Sequence, residues 1–108
     1  MKVIKRDGST VSFDRSKIEN AIRKANSAVE EAERIEEAKI VEIAGYIESK
    51  NRPRLLVEDI QDMVEHRLME EGKFDLAKAY IIYRYSRALV RKANTTDDSI
   101  LSLIRNSN

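Results

Sequence analysis

Seven residues into the chain, an Asp-Gly step separates two short alternating runs, KVIKR before it and STVSF after it. Asp-Gly between β-branched alternation is a strong hairpin signal, because both residue types tolerate the positive φ that a two-residue type I′ turn demands. With Asp7-Gly8 as that turn, Arg6 faces Ser9, Lys5 faces Thr10, Ile4 faces Val11 and Val3 faces Ser12. Side chains alternate along a strand. Ile4, Val11 and Phe13 are therefore expected on the core, and Val3, Lys5, Thr10 and Ser12 on the opposite face. A lone hairpin is marginal in water, so this one must rest on another layer.

That layer reads as helical. Asp14 is a suitable N-cap for a helix starting near Arg15, after which Ile18, Ala21, Ile22 and Ala25 recur at helical spacing. A break is expected around residues 29–35, where large apolar residues are few. A second helix carries Ile40, Ile43, Ala44 and Ile47 on one face and ends before Arg52-Pro53. Leu55 to Val57 is expected as a short third strand. A third helix from about Glu58 points Ile60, Val64 and Leu68 inward and stops at Gly72. The last helix, from about Asp75 to Lys92, is expected to bury Leu76, Ala79, Tyr80, Tyr83 and Val90. From Asn94 the text turns to Asn, Thr, Asp and Ser, followed by the apolar run SILSLI, which reads as the start of a connection. The expected fold class is α+β, mainly α: a four-helix bundle capped by an N-terminal hairpin and a short third strand.

The net charge of +1 conceals a segregation. Residues 1–24 carry seven basic and three acidic side chains, and residues 73–108 carry the same balance. Residues 25–72 carry six basic and thirteen acidic ones. A fold that joins the two ends builds a local positive field that the total hides. With 108 residues and this low net charge, the chain fits one domain and argues against a general nucleic-acid binder. There is no cysteine and one histidine, His66, so a thiolate nucleophile, a zinc-cysteine site and a histidine pair for a metal are all excluded. No stretch is apolar enough to span a membrane, and the charged opening residues do not read as a secretory signal, which together fit the cytoplasm.

Two basic clusters draw attention. Lys5 and Arg6 crowd the hairpin, where the bland reading is protection of an edge strand. Arg84, Arg87 and Arg91 share one stripe of the last helix, with no acid between Arg84 and Lys92; the bland reading is a solvated face that suits the helix dipole. Lys17, in the first turn of the first helix, opposes the dipole unless an anion sits nearby. Each alone is unremarkable. Together they supply what a compact polyanion needs, since guanidinium groups bind phosphate oxygens bidentately. No glycine-lysine phosphate loop and no GxGxxG is present, so side chains would carry the binding.

Three stretches, VIKRDGSTVSFDRSKIENAIRKA, VEDIQDMVEHRL and AKAYIIYRYSR, together resemble the ATP-cone domain over roughly residues 2–92. The resemblance implies a regulatory nucleotide-binding module, with a small sheet capping four helices, that binds ATP or dATP with Mg²⁺ and controls a ribonucleotide reductase. It implies nucleotide contacts from Val3, Ile4, Lys5 and Arg6 of the hairpin, Lys17 and Ile18 of the first helix, Val57, and Arg84 and Arg87 of the last helix. No metal ligand from protein side chains is implied. Departures lie at Val11, where some members carry a carboxylate, and near Val57, where some carry a threonine.

The tail NTTDDSILSLIRNSN resembles the lead-in to the catalytic domain of anaerobic ribonucleoside-triphosphate reductases. The division expected is a cone over residues 1–93 and a connection over 94–108 toward a catalytic domain. Reductase chemistry needs cysteine, so this chain is expected to regulate and not to catalyse. Expected partners are nucleoside triphosphates, the catalytic domain and, with dATP, further copies of the chain, with neither membrane nor nucleic acid. The rivals are the cone of a nucleotide-responsive repressor, whose relatives carry a four-cysteine zinc ribbon, and a helical interaction module indifferent to nucleotides.

Overall fold

The computed structural model describes residues 1–96. Its elements are β1 (Lys2–Ile4), β2 (Thr10–Ser12), α1 (Arg15–Ser27), a short 3₁₀ turn (Glu31–Glu33), α2 (Glu37–Glu48), β3 (Arg54–Leu56), α3 (Val57–Glu70) and α4 (Phe74–Thr96). The expected class, four helices under a small sheet, is what the chain adopts. The expected break falls between α1 and α2. The expected connection from Asn94 continues α4 as far as Thr96, and SILSLI lies outside the described residues.

The strands order β2-β1-β3, with β1 antiparallel to β2 and parallel to β3. The hairpin is one residue out of the expected register: Val3 pairs with Val11 and Ile4 with Thr10. The loop explains this. Lys5 N–H donates to Ser9 O at 2.8 Å and Gly8 N–H to Lys5 O at 2.9 Å, leaving Arg6, Asp7 and Gly8 as a three-residue connection. Only Gly8 in it takes a positive φ, 87°, whereas a type I′ turn needs two such residues. Asp7 instead accepts from Ser9 N at 2.9 Å and Ser9 Oγ at 2.6 Å, which settles its carboxylate inside the turn.

A one-residue slip exchanges the two faces of a strand. Val3, expected outside, is buried, and Met1, Val11 and Phe13 pack on the core beside it. Ile4, expected inside, faces away and is half-buried.

Beneath the sheet, α1 packs on α2 and α4, and α3 packs on the same two helices. Ile22, Ile40, Ile43, Ile47, Val64, Leu68 and Leu76 are fully enclosed between them. Ile18, Ala25, Ile60 and Tyr80 complete the core at the expected positions. On α4 the expectation needs correction. Ala77 is buried, Ala79 and Tyr83 are half-buried, and Val90 is 47% exposed. At 23 residues α4 extends about 35 Å, and among its residues whose side chains are described the buried ones lie before Ile81. Val90 therefore falls beyond the shorter neighbours that could cover it.

Polar side chains fasten the helices where apolar contact is thin. Arg15 donates to Glu19 at 3.2 Å within α1, and to Glu48 at 3.0 Å and the Val41 carbonyl at 2.9 Å on α2. The guanidinium lies over Gly45, where a Cβ would stand in ordinary contact at 3.4 Å from Arg15 Nη2. Asn26 stitches the loop before α2, donating from Nδ2 to Ile35 O at 3.1 Å and accepting from Ile35 N at 3.0 Å.

Asp14 caps α1 as expected, accepting from Ser16 N at 3.0 Å and Ser16 Oγ at 2.6 Å. The Ser16 hydroxyl first, then its backbone N–H, holds the carboxyl below its ordinary value of 3.8. A carboxyl lowered by folding stabilises fully above that ordinary value, and the contribution is lost as pH falls through the lower folded one. Asp14→Ala is expected to lower the urea midpoint at pH 7. Its gap from wild type should close as urea melts are taken progressively below pH 3.8.

Candidate functional site

The parallel pairing of β1 with β3 sets Lys2 beside Arg54, Val3 beside Leu55 and Ile4 beside Leu56, with Lys2 N–H donating to Pro53 O at 2.9 Å. The hairpin is thereby carried to the point where β3 turns directly into α3. A cleft of about 150 Å³ opens there, lined by Ile4, Lys5, Arg6, Leu56, Val57 and Glu58. Leu56 is the N-cap residue of α3 and provides no side-chain acceptor. The first backbone N–H groups of α3 are thus open to an anion in the cleft.

The two basic clusters meet beside this cleft on one atom. Gln61 Oε1 accepts from Arg6 Nη2 at 3.3 Å and from Arg84 Nη1 at 3.1 Å. The neutral amide brings together cations that would otherwise repel, and each carries its own counter-charge. Arg6 Nε lies 3.5 Å from Glu58 Oε1, with both side chains largely in solvent. Such a pair contributes little, about 0–1 kcal/mol. Arg84 donates from Nε to Glu65 Oε1 at 2.8 Å, and these two side chains are only 16% and 13% exposed. The second pair is shielded from water and is the stronger of the two. Arg84 thus has an acid, which its own helix did not reveal.

Of the residues singled out from the sequence, Ile4, Lys5, Arg6 and Val57 line the cleft, and Arg84 joins it through Gln61. Val3 and Ile18 lie in the core behind it. Lys17 is exposed on the first turn of α1 beside Asp14, and Arg87 is exposed on α4. The side chain of Arg91 lies outside the described residues. Sequence reasoning passed over Leu56, Glu58, Gln61 and Glu65. The last three recur at i, i+3 and i+7 on α3, so they share one stripe, and that spacing is the signal that could have found them.

A second cleft, about 300 Å³, lies against β3 and α3 with Lys50, Arg52, Leu55, Asp59, Asp62, Met63 and His66 around it. Its two acids stand among its two cations, so its field is mixed and poorly suited to a polyanion. Among the described residues no group of three or more His, Cys, Asp or Glu side chains could hold a metal ion. Among the same residues no helix is long and apolar enough to cross a membrane.

The sequence that folds this way has a counterpart among known families. The sequence model of the ATP cone domain matches residues 1–89. This chain belongs to the ATP-cone family. As a class, ATP cones are allosteric nucleotide-binding regulatory domains, with ATP or dATP as effector. The chain is 39% identical over 84% of its length to a vitamin B12-dependent ribonucleoside-diphosphate reductase of Thermoplasma acidophilum, covering 12% of that protein. It is 38% identical over 98% of its length to an anaerobic ribonucleoside-triphosphate reductase of Haemophilus influenzae, covering 15% of it. A ribonucleoside-diphosphate reductase subunit alpha of Chlamydia muridarum is 38% identical over 94% of this chain, which covers 11% of that relative. The cone thus spans between 11% and 15% of the length of these relatives.

Tyr80 of the cone stands beneath the site. Burial pushes its phenol far above the ordinary value of 10; nearby Arg84 opposes the shift and Glu65 adds to it. A group whose value is raised by folding stabilises in full below its unfolded value and loses that contribution as pH rises toward the folded one. Wild type is therefore expected to lose stability above pH 10 along a limb that Tyr80→Phe lacks, as read by comparing the urea melts of the two proteins from pH 9 upward.

Proposed function

We propose that this cone is a nucleotide sensor that binds ATP or dATP, accompanied by Mg²⁺, at the cleft between the hairpin and the start of α3. The observation that carries the reading is the convergence of Arg6 and Arg84 on Gln61 Oε1, which brings the two cationic ends of the chain to one place. Lys5, Arg6, Arg84 and Arg87 hold the triphosphate, and Lys17 adds charge from α1. Ile4 and Val57 flank the sugar or base, with Val3 and Ile18 packed behind them. Several negative charges in a small volume match several fixed cations, and the uncapped start of α3 adds backbone donors.

The output is regulation of a parent ribonucleotide reductase through oligomerisation or subunit interaction, with the cone itself taking no part in the chemistry. The anaerobic reductase relative and the tail NTTDDSILSLIRNSN favour an anaerobic parent. An effector can shift such an assembly only by the difference in its affinity for two arrangements.

Isothermal titration of the 108-residue chain with ATP and with dATP is expected to give saturable binding in the micromolar-to-millimolar range. Lys5→Ala and Arg87→Ala are each expected to weaken it by about ten-fold, near 1.4 kcal/mol, with thermal melts little changed. A flat titration with both nucleotides overturns the reading.

A further inference from the structure

Arg84 already grips an anion. Its Nε donates to Glu65 Oε1 at 2.8 Å, and its Nη2 stands 2.7 Å from the same oxygen. This Nε–Nη2 edge is one of those through which a guanidinium takes hold of a phosphate by two parallel bonds. Its remaining terminal nitrogen, Nη1, is engaged by Gln61 at 3.1 Å. The carboxylate therefore holds the Nε–Nη2 edge, and a phosphate that takes this edge of Arg84 has to replace it.

Glu65 makes no contribution to the cleft lining, and its position 19 residues from Arg84 places the pair across the α3–α4 interface. Gln61 reports on the same competition. It holds Arg6 and Arg84 at one neutral oxygen, while Glu58 and Glu65 supply one negative charge to each. A polyanion that enters the cleft can replace both counter-charges at once, and no ligand with a single charge can do so.

We infer that Glu65 sets the affinity of the nucleotide site: it is an internal counter-anion that a triphosphate must displace from Arg84. This rests on the nucleotide-binding reading of the cleft. A phosphate that takes the Nε–Nη2 edge of Arg84 does so against the Glu65 ion pair, and one that approaches Arg84 elsewhere meets the Glu65 charge, so the site binds its effector more weakly than its cations alone would allow. Weak binding suits a sensor that must release its ligand when concentrations change. The released carboxylate, 13% exposed while paired, then has to find water or another donor. Binding at the cleft is thereby coupled to the packing of α3 on α4.

The test is a titration of the full chain with ATP, using wild type, Glu65→Gln, Arg84→Gln and the double variant. Glutamine keeps the shape of glutamate and removes its charge. Glu65→Gln is expected to lower the Kd for ATP by about ten-fold. The gain should vanish in the Arg84→Gln background, since the two residues act as a pair. Unchanged or weaker binding by a folded Glu65→Gln overturns the inference and makes Glu65 a mere support for Arg84. A gain that survives in the double variant also overturns it, because a general loss of negative charge would then be the cause. Should Glu65→Gln fail to give a cooperative melt, Glu65→Asp draws the charge back from the guanidinium and must likewise tighten binding. Wild-type binding with no change in the variants sinks this inference alone; no binding by any of the proteins sinks the nucleotide reading with it.

Discussion

Three rungs of parallel ladder, joining β1 to β3, decide where everything else in this molecule goes. The hairpin has few apolar residues of its own and is bound to the bundle through Val3, Val11 and Phe13. Its position along the bundle, however, is set by Lys2 beside Arg54 and Ile4 beside Leu56. Because β3 passes into α3 with no intervening loop, the same ladder brings the hairpin cations against the first turn of α3. Shift that ladder by one residue and Arg6 would lose Glu58 and Gln61 together.

The charge segregation of the chain acquires a physical meaning once this contact exists. The basic ends and the acidic middle are not separate patches. Arg6 and Arg84 reach onto α3, where Glu58 and Glu65 wait for them. The fold thus pairs part of the basic ends with the acidic middle. Their burial differs enough that one is held and the other is loosely tied. The exposed Arg6 pair can exchange partners at little cost, whereas the sheltered Arg84 pair is costly to open without a replacement.

Much of the helical fold was legible in the sequence. The isoleucine spacing of α2, the Asp14 cap and the Gly72 stop were local signals, and the structure carries each of them. The hairpin register was not legible, because Asp-Gly fits two loop lengths equally well. What separates them is whether Asp7 takes a positive φ or turns its carboxylate onto Ser9, and the second prevails. The exposure of Val90 was missed since helical periodicity says which face is apolar but not how far a neighbour reaches. The site was half legible. Cations could be read from their own segments, and the spacing of Glu58, Gln61 and Glu65 puts them on one stripe of α3, but that spacing does not say which cation of another element each one meets. Gln61 shares that stripe, yet a neutral amide gains importance only from what meets it.

The contact of Arg15 with α2 has a mechanical consequence. A guanidinium that bonds Glu19 on its own helix, and Val41 and Glu48 on the next, pins the leading end of α1 at two levels along α2. Separating α1 from α2 at this end therefore breaks these polar bonds as well as exposing the isoleucines between the helices.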